Sequence, residues 1–266
     1  MNEQMTLFDI PSGDYNSPLG YIGGKKKLWP LFKQFIPSDI NHMISPFIGG
    51  GSIELRCAAN GIKVEAYDKF DLLVNFWQTF LNDIDELTKC VSKIYPISTE
   101  EGKEYFKTHL TTIDNPIKQA AIFWCINRQS WGAKMFADKD FYEKKVDKYT
   151  PEGFLKWRTW QNKNITVKLQ DCFVTLEQSK GIFTYLDPPY VGLEKMYGIK
   201  GKDNSFDHER LYDILSQNDR PWILSYGKHD DIYRMYSKYK ILEPEWKYLF
   251  NSAYDLSPNE LLIINC

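Results

Sequence analysis

The most specific chemistry in this sequence sits in four consecutive residues, Asp187-Pro188-Pro189-Tyr190. They follow the mostly apolar run Gly181-Ile182-Phe183-Thr184-Tyr185-Leu186, which reads as a buried strand ending at a carboxylate. Two successive prolines stiffen the chain and remove two backbone donors. The carbonyls of such a turn accept hydrogen bonds without competing local N–H groups, and a planar tyrosine stands beside them. The set suits an aromatic amine: Asp187 and the Pro188 carbonyl accept its two protons while Tyr190 stacks on its ring. The plain alternative is a strand end with a structural Pro-Pro turn.

Two glycine-rich turns carry further chemistry. Ile44-Ser45-Pro46-Phe47-Ile48-Gly49-Gly50-Gly51-Ser52 is an apolar run, a flexible turn and the start of a helix. Glycines after a strand permit positive φ and let a ligand approach the backbone closely. The dinucleotide fingerprint is absent, because its third glycine would fall at Glu54. Asp68, after the next apolar run, can accept hydrogen bonds from ribose hydroxyls, or be only a solvated strand end. Upstream, Gly20-Tyr21-Ile22-Gly23-Gly24-Lys25 fails the phosphate-loop spacing, since residue 19 is Leu19. There Lys25 can neutralise a ligand carboxylate, with Gly23 and Gly24 allowing close approach, or be a solvated basic turn.

These turns need elements to hold them. Apolar runs predict strands at 44–48, 63–67, 165–169, 182–186, 221–226 and 260–265, with helices at 52–59 and 207–217. The order strand, glycine turn, helix, strand at the front is a βαβ unit. Residues 86–164 read instead as long helical patterns with a basic middle. The expected organisation is an arm over 1–17, an α/β domain with a parallel sheet over 18–85 and 165–266, and an inserted, mainly helical lobe over 86–164.

Composition excludes several classes. Five cysteines without a Cys-x-x-Cys pair, and four scattered histidines, predict neither a disulfide framework nor a metal site. No apolar run approaches a membrane span, and the start is not a signal peptide, so a cytoplasmic location in a bacterium or phage is expected. Net charge is −2, so any nucleic-acid face must be local. Residues 128–168 provide one: ten Lys/Arg against five Asp/Glu, with eight aromatics. A solvated amphipathic lobe would share that composition.

Together and in this order, the motifs resemble the Dam-type family of DNA adenine methyltransferases. Tyr21-Ile22-Gly23-Gly24-Lys25 is similar to the family's N-terminal cofactor motif, Pro46-Phe47-Ile48-Gly49-Gly50-Gly51-Ser52 to its glycine loop, and Asp187-Pro188-Pro189-Tyr190 to its catalytic tetrapeptide. Gln170-Asp171-Cys172 and Asn259-Glu260-Leu261-Leu262-Ile263 are weaker matches. The resemblance implies a Rossmann-like sheet, S-adenosylmethionine as cofactor, double-stranded DNA as substrate and methylation of adenine N6 on a flipped-out base. It places Lys25 and Asp187 near the methionine part of the cofactor, Asp68 at its ribose, and Asp171 with Cys172 at its adenine. Tyr21, Gly23, Gly24, Phe47, Gly49, Gly51 and Ser52 complete that set.

In the lobe, Ile126-Asn127-Arg128-Gln129-Ser130-Trp131-Gly132 resembles the family's Asn-Arg motif where DNA reading begins. Asn127, Arg128, Trp131, Lys134, Lys144 and Lys145 are therefore the expected DNA contacts, although Trp131 can equally be a core residue. The family's later Asn-x-Pro-x-Gly stretch is missing, so no recognition sequence carries over. The same chemistry on RNA or on cytosine N4, and a non-catalytic DNA-binding protein of this fold, remain the alternatives; the glycine spacing disfavours a dehydrogenase. In the arm, Gln4, Leu7 and Phe8 resemble the peptide by which bacterial proteins dock on the sliding clamp, or are a strap packed on the catalytic domain.

Overall fold

The computed structural model describes residues 17–21, 24–108, 110–130, 164–194, 205–217, 221–244 and 259–266. In chain order the elements are α1 (Trp29–Phe32, flanked by 3-10 turns), β1 (His42–Ser45), α2 (Glu54–Ala59), β2 (Lys63–Asp68), α3 (Asp71–Asn82), α4 (Ile84–Ile94), α5 (Thr99–Thr108) and α6 (Pro116–Gln129). After a gap in the described residues come β3 (Ile165–Leu169), α7 (Cys172–Gln178), β4 (Phe183–Leu186), α8 (His208–Ser216), β5 (Trp222–Tyr226), α9 (Asp230–Met235), β6 (Lys240–Leu242) and β7 (Leu261–Asn265).

The strands form one sheet in the order β3-β2-β1-β4-β5-β7-β6. The first five run parallel, and β7 is antiparallel to both β5 and β6. This is the Rossmann-like α/β sheet expected from the sequence. The chain winds one way from β1 to β3 and the other way from β4, so the order reverses between β1 and β4. A crevice opens at such a point, outside the carboxyl ends of the strands.

Alternation along the strands feeds two cores. Phe183 and Tyr185 of β4 enter the larger one with Ile223, Leu262 and Ile264, while Leu186, Trp222, Leu224, Leu261 and Ile263 enter the other. Each buried side chain of this kind contributes about 1.5–3 kcal/mol relative to exposure. β1 ends at Ser45 rather than at 48 because Pro46 has no N–H for the ladder. β6 was not foreseen; it is three residues long and only half buried, too short for an alternating pattern.

The described helices of the expected lobe pack against the α/β core. α6 starts on Asn115, whose side chain accepts the Lys118 N–H at 2.9 Å, with Pro116 in the first turn. Its residues Ala120–Ile126 are buried together with Leu87 and Val91 of α4 in the same core as β1, β2 and β4. The part up to Ser130 thus packs with the sheet. Trp131, Lys134, Lys144 and Lys145, with the arm residues Gln4, Leu7 and Phe8 and the turn residue Gly23, lie outside the described residues.

Candidate active site

Four adjacent parallel strands, β3, β2, β1 and β4, deliver their carboxyl ends to one crevice, and each ends in a residue singled out from the sequence. Lateral hydrogen bonds hold these ends in register. The Ile48 N–H reaches the Tyr67 carbonyl at 2.9 Å, and the Gln170 N–H reaches the Asp68 carbonyl at 3.1 Å. The cavity between them has a volume of about 240 Å³ and is lined by Tyr21, Pro46, Phe47, Gly49, Asp68, Lys69, Phe70, Asp171, Cys172, Phe173, Asp187, Pro189, Glu194, Ser205, Phe206 and Asp207. A smaller chamber of about 20 Å³ shares Tyr21, Phe47 and Asp187 with it and adds Gly24, Lys25, Ser52 and Glu54.

The glycine loop is shaped as much by packing as by access. Gly49 and Gly51 have φ of +44° and +66°, a region that favours glycine. A Cβ on Gly51 would meet the Trp77 ring at 2.8 Å, and one on Gly50 the Tyr21 Cβ at 2.7 Å. Trp77 Nε1 donates to the Gly49 carbonyl at 3.0 Å. Protein rings, rather than a ligand alone, therefore require these glycines. Asp68 accepts from Phe70 N–H at 3.1 Å and Gly49 N–H at 3.3 Å. Burial nevertheless raises its carboxyl to about 6, against those hydrogen bonds. Asp171 caps α7 by accepting the Phe173 N–H at 2.9 Å, and burial lifts the neighbouring Cys172 thiol to about 12.

Asp187 stands at the end of β4 with two partners on one oxygen. Lys25 Nζ is 2.9 Å from Oδ1, and Ser225 Oγ of β5 donates to the same atom at 3.1 Å. Ser225 in turn lies 3.2 Å from the Tyr185 hydroxyl. Lys25 is buried and also reaches Glu260 at 3.3 Å. Burial alone would lower its pKa, but the Asp187 and Glu260 carboxylates outweigh that and hold the ammonium charged above its ordinary range. Tyr190 is buried, its hydroxyl donating to Glu260 and its ring centroid 5.1 Å from Lys25 Nζ. Pro188 is buried and Pro189 lines the cavity.

A carboxylate anchored by a cation, at a strand end on a cavity lined by four more carboxylates, is equipped to bind and activate an amine. A family profile described as D12 class N6 adenine-specific DNA methyltransferase matches residues 21–250. The chain belongs to that class. The methyltransferase thus acts on the exocyclic N6 of adenine in DNA. Type II methyltransferase M1.LlaDCHI of Lactococcus lactis subsp. cremoris is 22% identical over 225 residues, which cover 75% of each chain. Type II methyltransferase M.CviBI of Paramecium bursaria Chlorella virus NC1A is 23% identical over 239 residues, covering 86% of this chain and 90% of that one. Among the described residues, no helix is long and apolar enough to cross a membrane.

The methyltransferase brings Tyr21, Phe47, Gly49, Asp68, Asp171, Cys172, Asp187 and Pro189 onto one cavity wall, with Gly24, Lys25, Gly51 and Ser52 on the adjoining chamber. Asn127 has a different place from the one expected. It is 2% exposed, accepts the Gly20 N–H at 2.9 Å and donates to the Gly20 carbonyl at 2.7 Å. It therefore holds the turn before Tyr21 and presents no amide to DNA in this arrangement. Arg128, beside it, is half-buried.

Three residues of the site escaped sequence reasoning. Ser225 lies inside an apolar strand with nothing to mark it. Glu260 belonged to a matched segment without a role. Glu54 stood out only as the residue that broke a glycine pattern. It is 2% exposed, accepts from Ser45 Oγ at 2.6 Å, and burial raises its carboxyl to about 7.

Proposed function

We propose that the methyltransferase uses S-adenosylmethionine, bound in the 240 Å³ cavity, to methylate an adenine swung out of double-stranded DNA. The observation that carries this reading is Asp187, held by Lys25 and Ser225 on the wall of a cavity that also contains Asp68 and Asp171. The fit of the cofactor rests on the lining. Phe47, Phe173 and Phe206 form an aromatic end, with Phe173 and Phe206 centroids 5.6 Å apart and Phe47 and Phe206 5.7 Å apart. A flat base suits these rings, Asp171 suits its amine, and Asp68 suits ribose hydroxyls. When bound, the cofactor supplies an electrophilic methyl group on a sulfonium.

The protein's own part is positioning and charge. The amine of adenine is a weak nucleophile because its lone pair is delocalised into the ring. Hydrogen bonds from that amine to Asp187 and to the Pro188 carbonyl localise the pair and aim it for in-line attack, with no covalent enzyme intermediate. Lys25, 2.9 Å from Oδ1, holds the Asp187 carboxylate in place to accept. The basic, aromatic-rich stretch 128–168 supplies phosphate contacts from Lys134, Lys144 and Lys145, and Trp131 supplies an aromatic near the base stack.

Tritium transfer from labelled S-adenosylmethionine to duplex DNA tests this reading, with single-molecule sequencing of DNA from expressing cells to locate the modified base. N6-methyladenine at one short sequence is the expected result. Label on cytosine, or on RNA in preference to DNA, would overturn it.

A further inference from the structure

Glu260 immediately precedes β7, a strand antiparallel to its neighbours, which brings it back to the site. It is 9% exposed and has two partners there. One is the Tyr190 hydroxyl, which donates to Oε1; the other is Lys25 Nζ at 3.3 Å from the same oxygen. Lys25 carries the link onward to Asp187 at 2.9 Å. The opposite side of the tyrosine is closed by Gly227, where a Cβ would meet Tyr190 Cδ2 at 2.8 Å. The tyrosine is therefore held at its hydroxyl by Glu260 and along its ring by Gly227, with the Lys25 ammonium over the ring.

We propose that Glu260 is a positioning residue for methyl transfer: it orients the Tyr190 ring through the phenol and, through the shared Lys25, ties that orientation to the Asp187 carboxylate. This role rests on the reading of Asp187 and Tyr190 given above and deepens it. Asp187, read as bonding the amine, and Tyr190, read from the sequence as stacking on the base, come from the same tetrapeptide but have separate side-chain rotations. A turn stiffened by two prolines orders the backbone between them and leaves those rotations free. A single carboxylate bonded to both the phenol and the lysine sets them together. No atom of Glu260 touches the base in this scheme.

The test is a double-mutant cycle on single-turnover tritium transfer, with cofactor and DNA affinities measured alongside. Glu260→Leu removes the acceptor, and Tyr190→Phe removes only the hydroxyl. Each single change is expected to slow transfer by about tenfold to a hundredfold, with both affinities near wild type, because misplacement affects the chemical step more than binding. The double variant is expected to be no slower than the slower single. Glu260→Gln, which keeps an acceptor for the phenol, is expected to recover much of the rate. Transfer by Tyr190→Phe at the wild-type rate, or a double variant whose loss is the product of the single losses, would overturn the role. Wild-type protein that binds cofactor and DNA but transfers nothing would overturn the function itself, and the role with it. Should Glu260→Leu fail to fold, the Tyr190→Phe rate alone still decides.

Discussion

Asp187 and Glu54 are two carboxylates on the walls of one small chamber with different partners. Asp187 has a buried ammonium at 2.9 Å, whereas Glu54 has a serine hydroxyl at 2.6 Å and burial pushes its carboxyl up to about 7. Asp187→Ala is expected to remove the amine acceptor while leaving Lys25 paired with Glu260, so the fold survives. The loss at the transition state should be about 3–4 kcal/mol, as for other positioned groups that meet developing charge. Tritium transfer measures it, and activity within tenfold of wild type would end the assignment. Glu54 makes a prediction about stability. Its folded pKa of about 7 lies above the ordinary 4.5, so between those values the folded protein keeps a proton that the unfolded chain has lost. Stability therefore falls as pH rises through that window, by about 3 kcal/mol once it is passed. Glu54→Gln keeps the hydrogen bond from Ser45 without the charge. It should match wild type near pH 4 and be more stable at pH 8. Urea unfolding at both values checks this, and an equal difference at each would show that the charge is not the cause.

At the scale of elements, α6 reaches the site by an unexpected route. Its residue Asn127, expected from the sequence among the DNA contacts, closes its amide on Gly20 from 107 residues away. Trp124, one turn earlier, donates from Nε1 to the Pro18 carbonyl at 2.9 Å. The helix is thus the support on which the turn before Tyr21 and Lys25 rests. Asn127→Ala leaves the Gly20 N–H and C=O without these partners and is expected to cost about 2–3 kcal/mol of stability. Cofactor affinity should fall with it, while affinity for non-target DNA stays unchanged. Calorimetric titrations with S-adenosylmethionine and with a non-target duplex separate the two. A loss confined to DNA would place Asn127 on the DNA face instead. An Asn-Arg pair near a helix end looks the same in sequence whether it faces a groove or a backbone turn. Only the neighbour across the interface distinguishes them.

At the scale of the molecule, the distribution of charge matters more than its sum. The chain carries −2 overall, but residues 128–168 carry ten Lys/Arg against five Asp/Glu. If that stretch is the DNA face, Lys144→Glu with Lys145→Glu should weaken binding to all duplexes alike and flatten the dependence of affinity on salt, since fewer counterions are released. A fluorescence anisotropy titration across salt concentrations reads both effects. Unchanged binding at every salt concentration would place the phosphate contacts elsewhere.

The sequence by itself determined the motifs, their order and the strand ends that carry them. Apolar runs, glycine turns and the Pro-Pro step are local signals, and local backbone chemistry sets them. The positions of Asp68, Asp171 and Asp187 at or just after the ends of apolar runs follow from that alone. Which residues meet across the crevice was decided by the tertiary structure. Ser225, Glu260 and Glu54 lie 38, 73 and 133 residues from Asp187 in sequence, and nothing in their own segments says that they meet it. The sheet order β3-β2-β1-β4-β5-β7-β6 brings β5 beside β4 and β7 beside β5, which carries Ser225 and Glu260 to the Asp187–Lys25 pair. The fold also excludes water from Glu54, and that burial, which no local sequence signal encodes, raises its pKa.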